Sequence, residues 1–282
     1  MEAETTPTGT DTDGSRPALA AVRRGEGPPV VLAHGFTQTG RLWGPMAEDL
    51  SVDHLVVAVD LPGHGDSRGV RADLVTGAEL LGDAGGRGAY VGYSMGARYC
   101  LHLALARPDL VTCLVLVSGT AGIDDEAERT ARRLADERLA DELDPPAGGH
   151  DPLPLGAFLD RWLAQPLFAG LPPAAAGTGE RLRNDPVGLA WSLRLAGTGT
   201  QRPLWSDVGG LAMPVVVVTG ARDTKFSALG RRLAAAIGAN ARHAVVPDAG
   251  HAPHLERPGD VADLVRRAVA RSAGRSHGSP AT

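Results

Sequence analysis

The chain has little of what several large protein classes require. Only two of its 282 residues are cysteine, Cys100 and Cys113, too few for a disulfide framework or a cysteine-rich zinc site. No apolar run approaches the roughly 20 residues of a membrane-spanning helix; residues 113–117 and 211–218, the latter broken by Pro214, are representative. Basic residues are not in excess. Lys and Arg total 28 against 33 Asp and Glu, a formal net charge of -5, which argues against a nucleic-acid partner held by a basic surface. No His-Glu-x-x-His segment occurs, disfavouring a zinc hydrolase of that type. The opening MEAETTPTGTDTDGSRP has no apolar stretch and does not read as a secretory signal. What is left is a cytoplasmic enzyme or binding domain, without metal or membrane.

The length suits one large domain, or one domain carrying an inserted subdomain. Residues 1–16 are rich in Thr, Gly, Asp and Pro, bury too little apolar surface to order themselves, and are expected to be a disordered extension. The tail at 272–282 is expected to behave alike. Between them, short branched apolar runs at 30–33, 55–59, 89–92, 114–117, 215–219 and 244–246 alternate with helix-length segments at 41–50, 72–81, 95–106, 226–237 and 258–270. This alternation predicts an α/β fold with a doubly wound, mostly parallel sheet. Residues 123–211 break the rhythm with amphipathic or charged segments separated by Pro and Gly. They are expected to form a helical cap over the carboxyl edge of a core made from 17–122 and 212–271, the edge where ligands bind in such sheets.

Chemistry concentrates at three places. Gly92-Tyr93-Ser94-Met95-Gly96 follows a predicted strand and opens a predicted helix, the setting of a nucleophile elbow. A chance Gly-x-Ser-x-Gly competes, since glycine is abundant. Asp223 lies just past the strand at 215–219, and His251, in Gly250-His251-Ala252-Pro253-His254, lies past the strand ending near 246. The order Ser, Asp, His matches that of the α/β hydrolases, and the chemistry explains the set. Serine attacks or takes a proton only when His accepts its own, while Asp fixes the His tautomer and stabilises its cation. Asp60 and Asp124 also follow strands and compete for the acid, and His254 competes with His251. His34 and His64 flank glycines and are expected to shape loops. The backbone N–H groups of Phe36, in His34-Gly35-Phe36, and of Met95 are the expected oxyanion donors; a plain Gly turn is the other reading of the first.

Arg98 falls one turn past Ser94 on the same helix side. A guanidinium buried there is costly unless an anion pairs with it, so an anionic small-molecule substrate is expected. The predicted helix beyond residue 123 adds Arg129, Arg132 and Arg133, but eight acids against four arginines between Asp124 and Glu142 make it no basic patch. Arg129 and Arg133 are expected to pair with neighbouring acids on a solvated face. Lys225 either faces the pocket or starts a solvated helix; Tyr93 lines the pocket or packs; Trp162 and Phe168 form a wall over the substrate or the cap core.

These motifs resemble the α/β-hydrolase superfamily across nearly the whole ordered chain. The elbow 92–98, the cap segment Trp162-Leu163-Ala164-Gln165-Pro166-Leu167-Phe168, the run Gly220-Ala221-Arg222-Asp223-Thr224-Lys225-Phe226 and the stretch 197–203 further resemble the 2-succinyl-6-hydroxy-2,4-cyclohexadiene-1-carboxylate (SHCHC) synthases of menaquinone biosynthesis. Ala97 and the Ala-Pro-His after His251 depart from that pattern. The resemblance implies a lyase that removes a ring proton through Ser94, His251 and Asp223 and eliminates pyruvate from a tricarboxylate. It implies no acyl-enzyme and no cofactor, and aligns Arg132 and Arg183 with carboxylate-binding arginines. A carboxylic ester or carbon–carbon bond hydrolase using the same triad stays open, as does a ligand-binding receptor on a hydrolase scaffold. Ser94 at the nucleophile position disfavours an epoxide hydrolase or haloalkane dehalogenase, which carry Asp there. A monomer or small homo-oligomer is expected.

Overall fold

The computed structural model describes residues 4–5 and 16–276. Eight strands form one sheet: β1 (Glu4–Thr5), β2 (Ala21–Arg24), β3 (Pro29–Ala33), β4 (Leu55–Val59), β5 (Gly88–Tyr93), β6 (Val111–Val117), β7 (Val215–Gly220) and β8 (Ala241–Val246), in spatial order β1-β2-β4-β3-β5-β6-β7-β8. Strands β3 to β8 run parallel, while β2 pairs antiparallel with β4 and with β1. The helices are α1 (Gly44–Leu50), α2 (Leu74–Gly85), α3 (Met95–Ala106), α4 (Glu126–Leu143), α5 (Leu155–Leu163), α6 (Thr178–Arg181), α7 (Pro186–Ala196), α8 (Thr224–Ile237), α9 (Pro253–Glu256) and α10 (Pro258–Ser276).

Successive strand side chains point to opposite faces, so each branched run supplies two cores. Val31, Val57, Leu114 and Val217 meet Leu81, Leu101 and Leu233 of α2, α3 and α8 on one face. Val30, Val56, Val115 and Val216 meet Met46, Leu50, Val261 and Val265 of α1 and α10 on the other. Burial on both faces is why these strands lack polar alternation. Helices α4 to α7 lie between β6 and β7, where a third cluster joins Leu143, Phe158, Leu159, Leu189 and Leu193. Both cysteines are free and buried, and no helix of the described residues is long and apolar enough to cross a membrane.

The structure departs from expectation at the ends and at one strand. Residues 4–5 pair with β2, so they are not a disordered part of the extension; strand pairing uses main-chain groups that a polar sequence still has. Residues 1–3 and 6–15 lie outside the described residues. Helix α10 continues to Ser276, five residues into the tail expected to be disordered, because each added turn extends an existing helix without a new nucleus; residues 277–282 lie outside the described residues. Strand β2, Ala-Val-Arg-Arg, was not expected: four residues with two arginines carry no apolar run, and main-chain pairing with β4 makes the strand.

Candidate active site

The elbow sits where β5 ends and α3 begins. Ser94 has φ 50° and ψ −103°, a strained left-handed conformation for a side-chain-bearing residue. Glycine is required on both sides of it. A Cβ at Gly96 would fall 2.0 Å from the Ala33 carbonyl oxygen, and one at Gly92 2.4 Å from that of Gly96. The sharp turn lifts the Ser94 hydroxyl over the carboxyl edge of the sheet.

There it meets the two other residues expected from sequence. Asp223 caps α8, its Oδ1 accepting from the Phe226 N–H at 3.0 Å. Its Oδ2 accepts from His251 Nδ1 at 2.7 Å. The opposite nitrogen, Nε2, lies 3.4 Å from Ser94 Oγ, loose for an O–H···N bond, as is common before a ligand tightens the site. His251 is 2% exposed, and the Phe226 ring stands edge-on to it with centroids 4.4 Å apart. The competing residues are engaged elsewhere. Asp60 accepts from the Gly40 and Asp66 N–H groups at 2.6 and 2.8 Å, and Asp124 pairs with Arg232. His254 is buried between Trp43 and Tyr93, at centroid distances of 4.6 and 4.1 Å.

The loop holding Phe36 is tied down by the two histidines expected to shape loops. His34 Nε2 accepts from the Leu61 N–H at 3.0 Å, and His64 Nε2 from the Thr37 N–H at 3.3 Å. Burial pushes His34 down to about 4 and His64 well below its ordinary value. The unfolded chain takes up a proton at His34 below about pH 6.5, the folded chain only below about 4, so this stability is complete above pH 6.5 and is lost as pH falls toward 4. His34 alone should remove about 2 kcal/mol between pH 7 and pH 5. Chemical denaturation of the parent and of His34→Asn at the two pH values isolates it from the equally buried His64 and His254; the same loss in both proteins would mean that His34 titrates normally.

A cavity of about 360 Å³ opens beside Ser94, between the sheet edge and α4 to α7. Phe36, Trp162 and Phe168 form an aromatic wall, Trp162 lying 5.1 Å from Phe36 and 5.9 Å from Phe168 between centroids. Tyr93, Met95, Arg98, Arg132 and Lys225 also line it. Arg98, 6% exposed, donates to the carbonyls of Ala196 and Gly197 at 2.7 and 3.2 Å. Arg132 pairs with the buried Asp136 at 2.8 Å and keeps much of its side chain exposed. Lys225 and Arg132 also border an adjoining lobe of about 340 Å³ that reaches Ser118 and Asp124.

Two expectations about arginines fail. Arg183 does not line the cavity; it is half exposed and pairs with Glu180 at 3.2 Å. Arg181 does line it, at 1% exposure, donating to the Ala176 carbonyl at 2.7 Å and to the Thr37 hydroxyl. Residues two apart in a helical turn point to nearly opposite sides, so only one of the pair can face inward, and the inward one is Arg181. Similarly, Arg129 donates to the carbonyls of Ile123 and Asp124 rather than to an acid, since the chain curls back under its own helix start. The cavity-lining Gln38 and Ser192 were also missed, for no chemical motif marks them; Gln165, which lines it too, stands in the cap segment singled out from sequence but was given no role there.

Burial lowers both Arg98 and Arg181 to about 10. Among the described residues no carboxylate lies within ion-pair distance of either. The site therefore combines a serine–histidine–aspartate relay with two buried guanidiniums held by carbonyl and hydroxyl oxygens and by no direct carboxylate bond, Asp136 acting on Arg98 from beyond ion-pair distance, under aromatic cover.

Comparison with known proteins agrees with this geometry. The model of the alpha/beta hydrolase family matches residues 30–264. The chain is 32% identical over 263 residues to a putative 2-succinyl-6-hydroxy-2,4-cyclohexadiene-1-carboxylate synthase of Bacillus subtilis (strain 168), covering 88% of this chain and 93% of that protein. It is 33% identical over 244 residues to the enzyme of that name from Salmonella newport (strain SL254), covering 84% and 91%. Among solved structures, MenH from S. aureus superposes with a TM-score of 0.77 at 24% identity, over 96% of this chain and 98% of that one. A thermophilic esterase from Thermogutta terrifontis gives 0.75 at 23% identity, over 96% and 99%. The last two speak to the fold alone. From the family match, the extent of the sequence relatives and the assembled relay, the chain belongs to the alpha/beta hydrolase family and is an enzyme of that superfamily.

Proposed function

We propose that the protein is a carbon–oxygen lyase of the SHCHC synthase type, eliminating pyruvate from 2-succinyl-5-enolpyruvyl-6-hydroxy-3-cyclohexene-1-carboxylate. The observation that carries this reading is the pair of buried guanidiniums, Arg98 and Arg181, facing one cavity beside Ser94 without a carboxylate partner. Desolvated cations are unfavourable unless something neutralises them, and a substrate with three carboxylates does so through planar two-point contacts. Arg132 and Lys225 offer further positive charge at the same walls, and Trp162 and Phe168 cover a ring-sized space.

In this reading Ser94 takes the ring proton while passing its own to His251 Nε2, and Asp223 steadies the resulting imidazolium. The C–H electron pair becomes an enolate on the succinyl carbonyl, held by the N–H groups of Phe36 and Met95. Collapse of the enolate re-forms the carbonyl, pushes the electron pair through the ring double bond to give the conjugated diene, breaks the ring C–O bond and expels enolpyruvate, which becomes pyruvate on protonation. No bond to Ser94 forms. The purified protein is expected to release pyruvate from the tricarboxylate without added metal. No release, together with rapid turnover of neutral aryl esters, would assign it instead as a carboxylic ester hydrolase.

A further inference from the structure

The relay needs the His251 ring to face two partners at once, and its direction is set by the backbone on either side. That backbone is gripped by a group outside the relay. Glu256 Oε2 accepts from the Gly250 N–H at 2.8 Å, and Oε1 accepts from the Ala252 N–H at 3.2 Å. The two donors immediately precede and follow His251. The main chain of Glu256 closes the arrangement, its own N–H donating to the Ala252 carbonyl at 3.0 Å. Proline at 253 starts α9 and returns the chain so that residue 256 reaches back over residue 251.

The carboxylate is confined as well as bonded. A Cβ at Gly250 would lie 3.2 Å from Oε1, and one at Gly170, in the cap, 3.3 Å from Oε2. Side chains at either position would press on the clamp. Asp223 contacts only the ring of His251, and Ser94 only its far nitrogen; neither limits the swing of the loop that carries the ring. The two N–H donors meet different oxygens of Glu256; a carboxylate accepts at both, whereas a carboxamide in the same place would turn an NH2 donor toward one of the two N–H groups.

We infer that Glu256 is a positioning residue for His251: its carboxylate, bridging the N–H groups before and after the histidine, holds the imidazole in line between Asp223 and Ser94. It acts through His251 and touches no substrate atom. The inference rests on the relay and not on the identity of the substrate. Small errors of alignment at a proton-transfer group are costly, so loosening this loop should slow chemistry without weakening binding.

The test uses the full chain with Glu256→Gln and Glu256→Ala, and a fluorophosphonate that labels Ser94. Labelling depends on the Ser94–His251 proton transfer, so it is informative even if pyruvate release is never observed. Both variants are expected to label about tenfold or more slowly, well below their melting temperatures, with KM for any turned-over substrate within twofold of the parent. In an Asp223→Ala background, where the ring has already lost its orientation, adding Glu256→Gln should cost less than twofold, because two substitutions acting through one side chain are not additive. Labelling within twofold of the parent, or the full loss repeated in the Asp223→Ala background, would overturn the assignment and leave Glu256 a cap for α9. Should Glu256→Ala fail to fold, the near-isosteric Glu256→Gln carries the same comparison.

Discussion

Replacing Ser94 by alanine is expected to lower turnover about 10³-fold or more, the scale on which a triad nucleophile contributes elsewhere. The hydroxyl is the hydrogen-bonding partner of His251 Nε2, at 3.4 Å, and it stands on a turn whose strain is allowed by Gly92 and Gly96 rather than by the serine itself. Alanine adopts the same backbone with the same difficulty, so the melting temperature should shift by no more than a few degrees. The size of the remaining rate is informative. If Ser94 carries the ring proton to His251, almost nothing is left. If His251 reaches the proton directly, a substantial fraction survives, and a rate within tenfold of the parent would remove the hydroxyl from the mechanism. Mass spectrometry of the parent enzyme during turnover separates lyase from covalent hydrolase, since only the latter builds an adduct on Ser94.

The second large effect concerns the cations. Arg98→Ala and Arg181→Ala should each lower kcat/KM for the tricarboxylate by roughly 30-fold, about 2 kcal/mol, the scale of a lost hydrogen bond to a charged group. Arg→Lys at either position should recover only part of this, because an ammonium cannot form the planar fork. Arg183→Ala is the informative contrast. Its side chain is half exposed and paired with Glu180, so kcat/KM should change less than twofold. A large loss at Arg183 with none at Arg181 would restore the sequence-based expectation and mean that α6 turns over when substrate binds. Unchanged kcat/KM at Arg98 would place that guanidinium among the supports of the 196–197 backbone rather than in contact with substrate.

Much of the architecture is legible along the chain because it depends on local pattern. The helix expected at 95–106 matches α3 residue for residue, since the elbow glycine and the apolar spacing after it leave few alternatives. The three relay residues are legible for a related reason. In a parallel sheet, loops after strand ends gather at one edge, so Ser94, Asp223 and His251, which follow β5, β7 and β8, meet without any long-range information beyond strand order. Arg98 is legible as well, being one helical turn from Ser94.

What stayed hidden depends on phase and on return contacts. Arg181 and Arg183 are equivalent in composition, and only the way the chain turns as it leaves α6 decides that the first, at the helix end, is buried and the second, just beyond it, pairs with Glu180. Glu256 reads as one more acid near a helix start; that its two oxygens straddle His251 follows from how α9 folds back.

By itself, then, the order of amino acids determined a mostly parallel α/β sheet, its strained serine turn and the meeting of Ser94, Asp223 and His251 at one sheet edge, because period, glycine placement and chain direction are local quantities. Only the tertiary structure decided that Arg181 and not Arg183 loses its water, and that the Glu256 carboxylate straddles His251. Each of those outcomes is set by burial and by partners distant in sequence, and desolvation is a property of the folded surroundings that no single segment encodes.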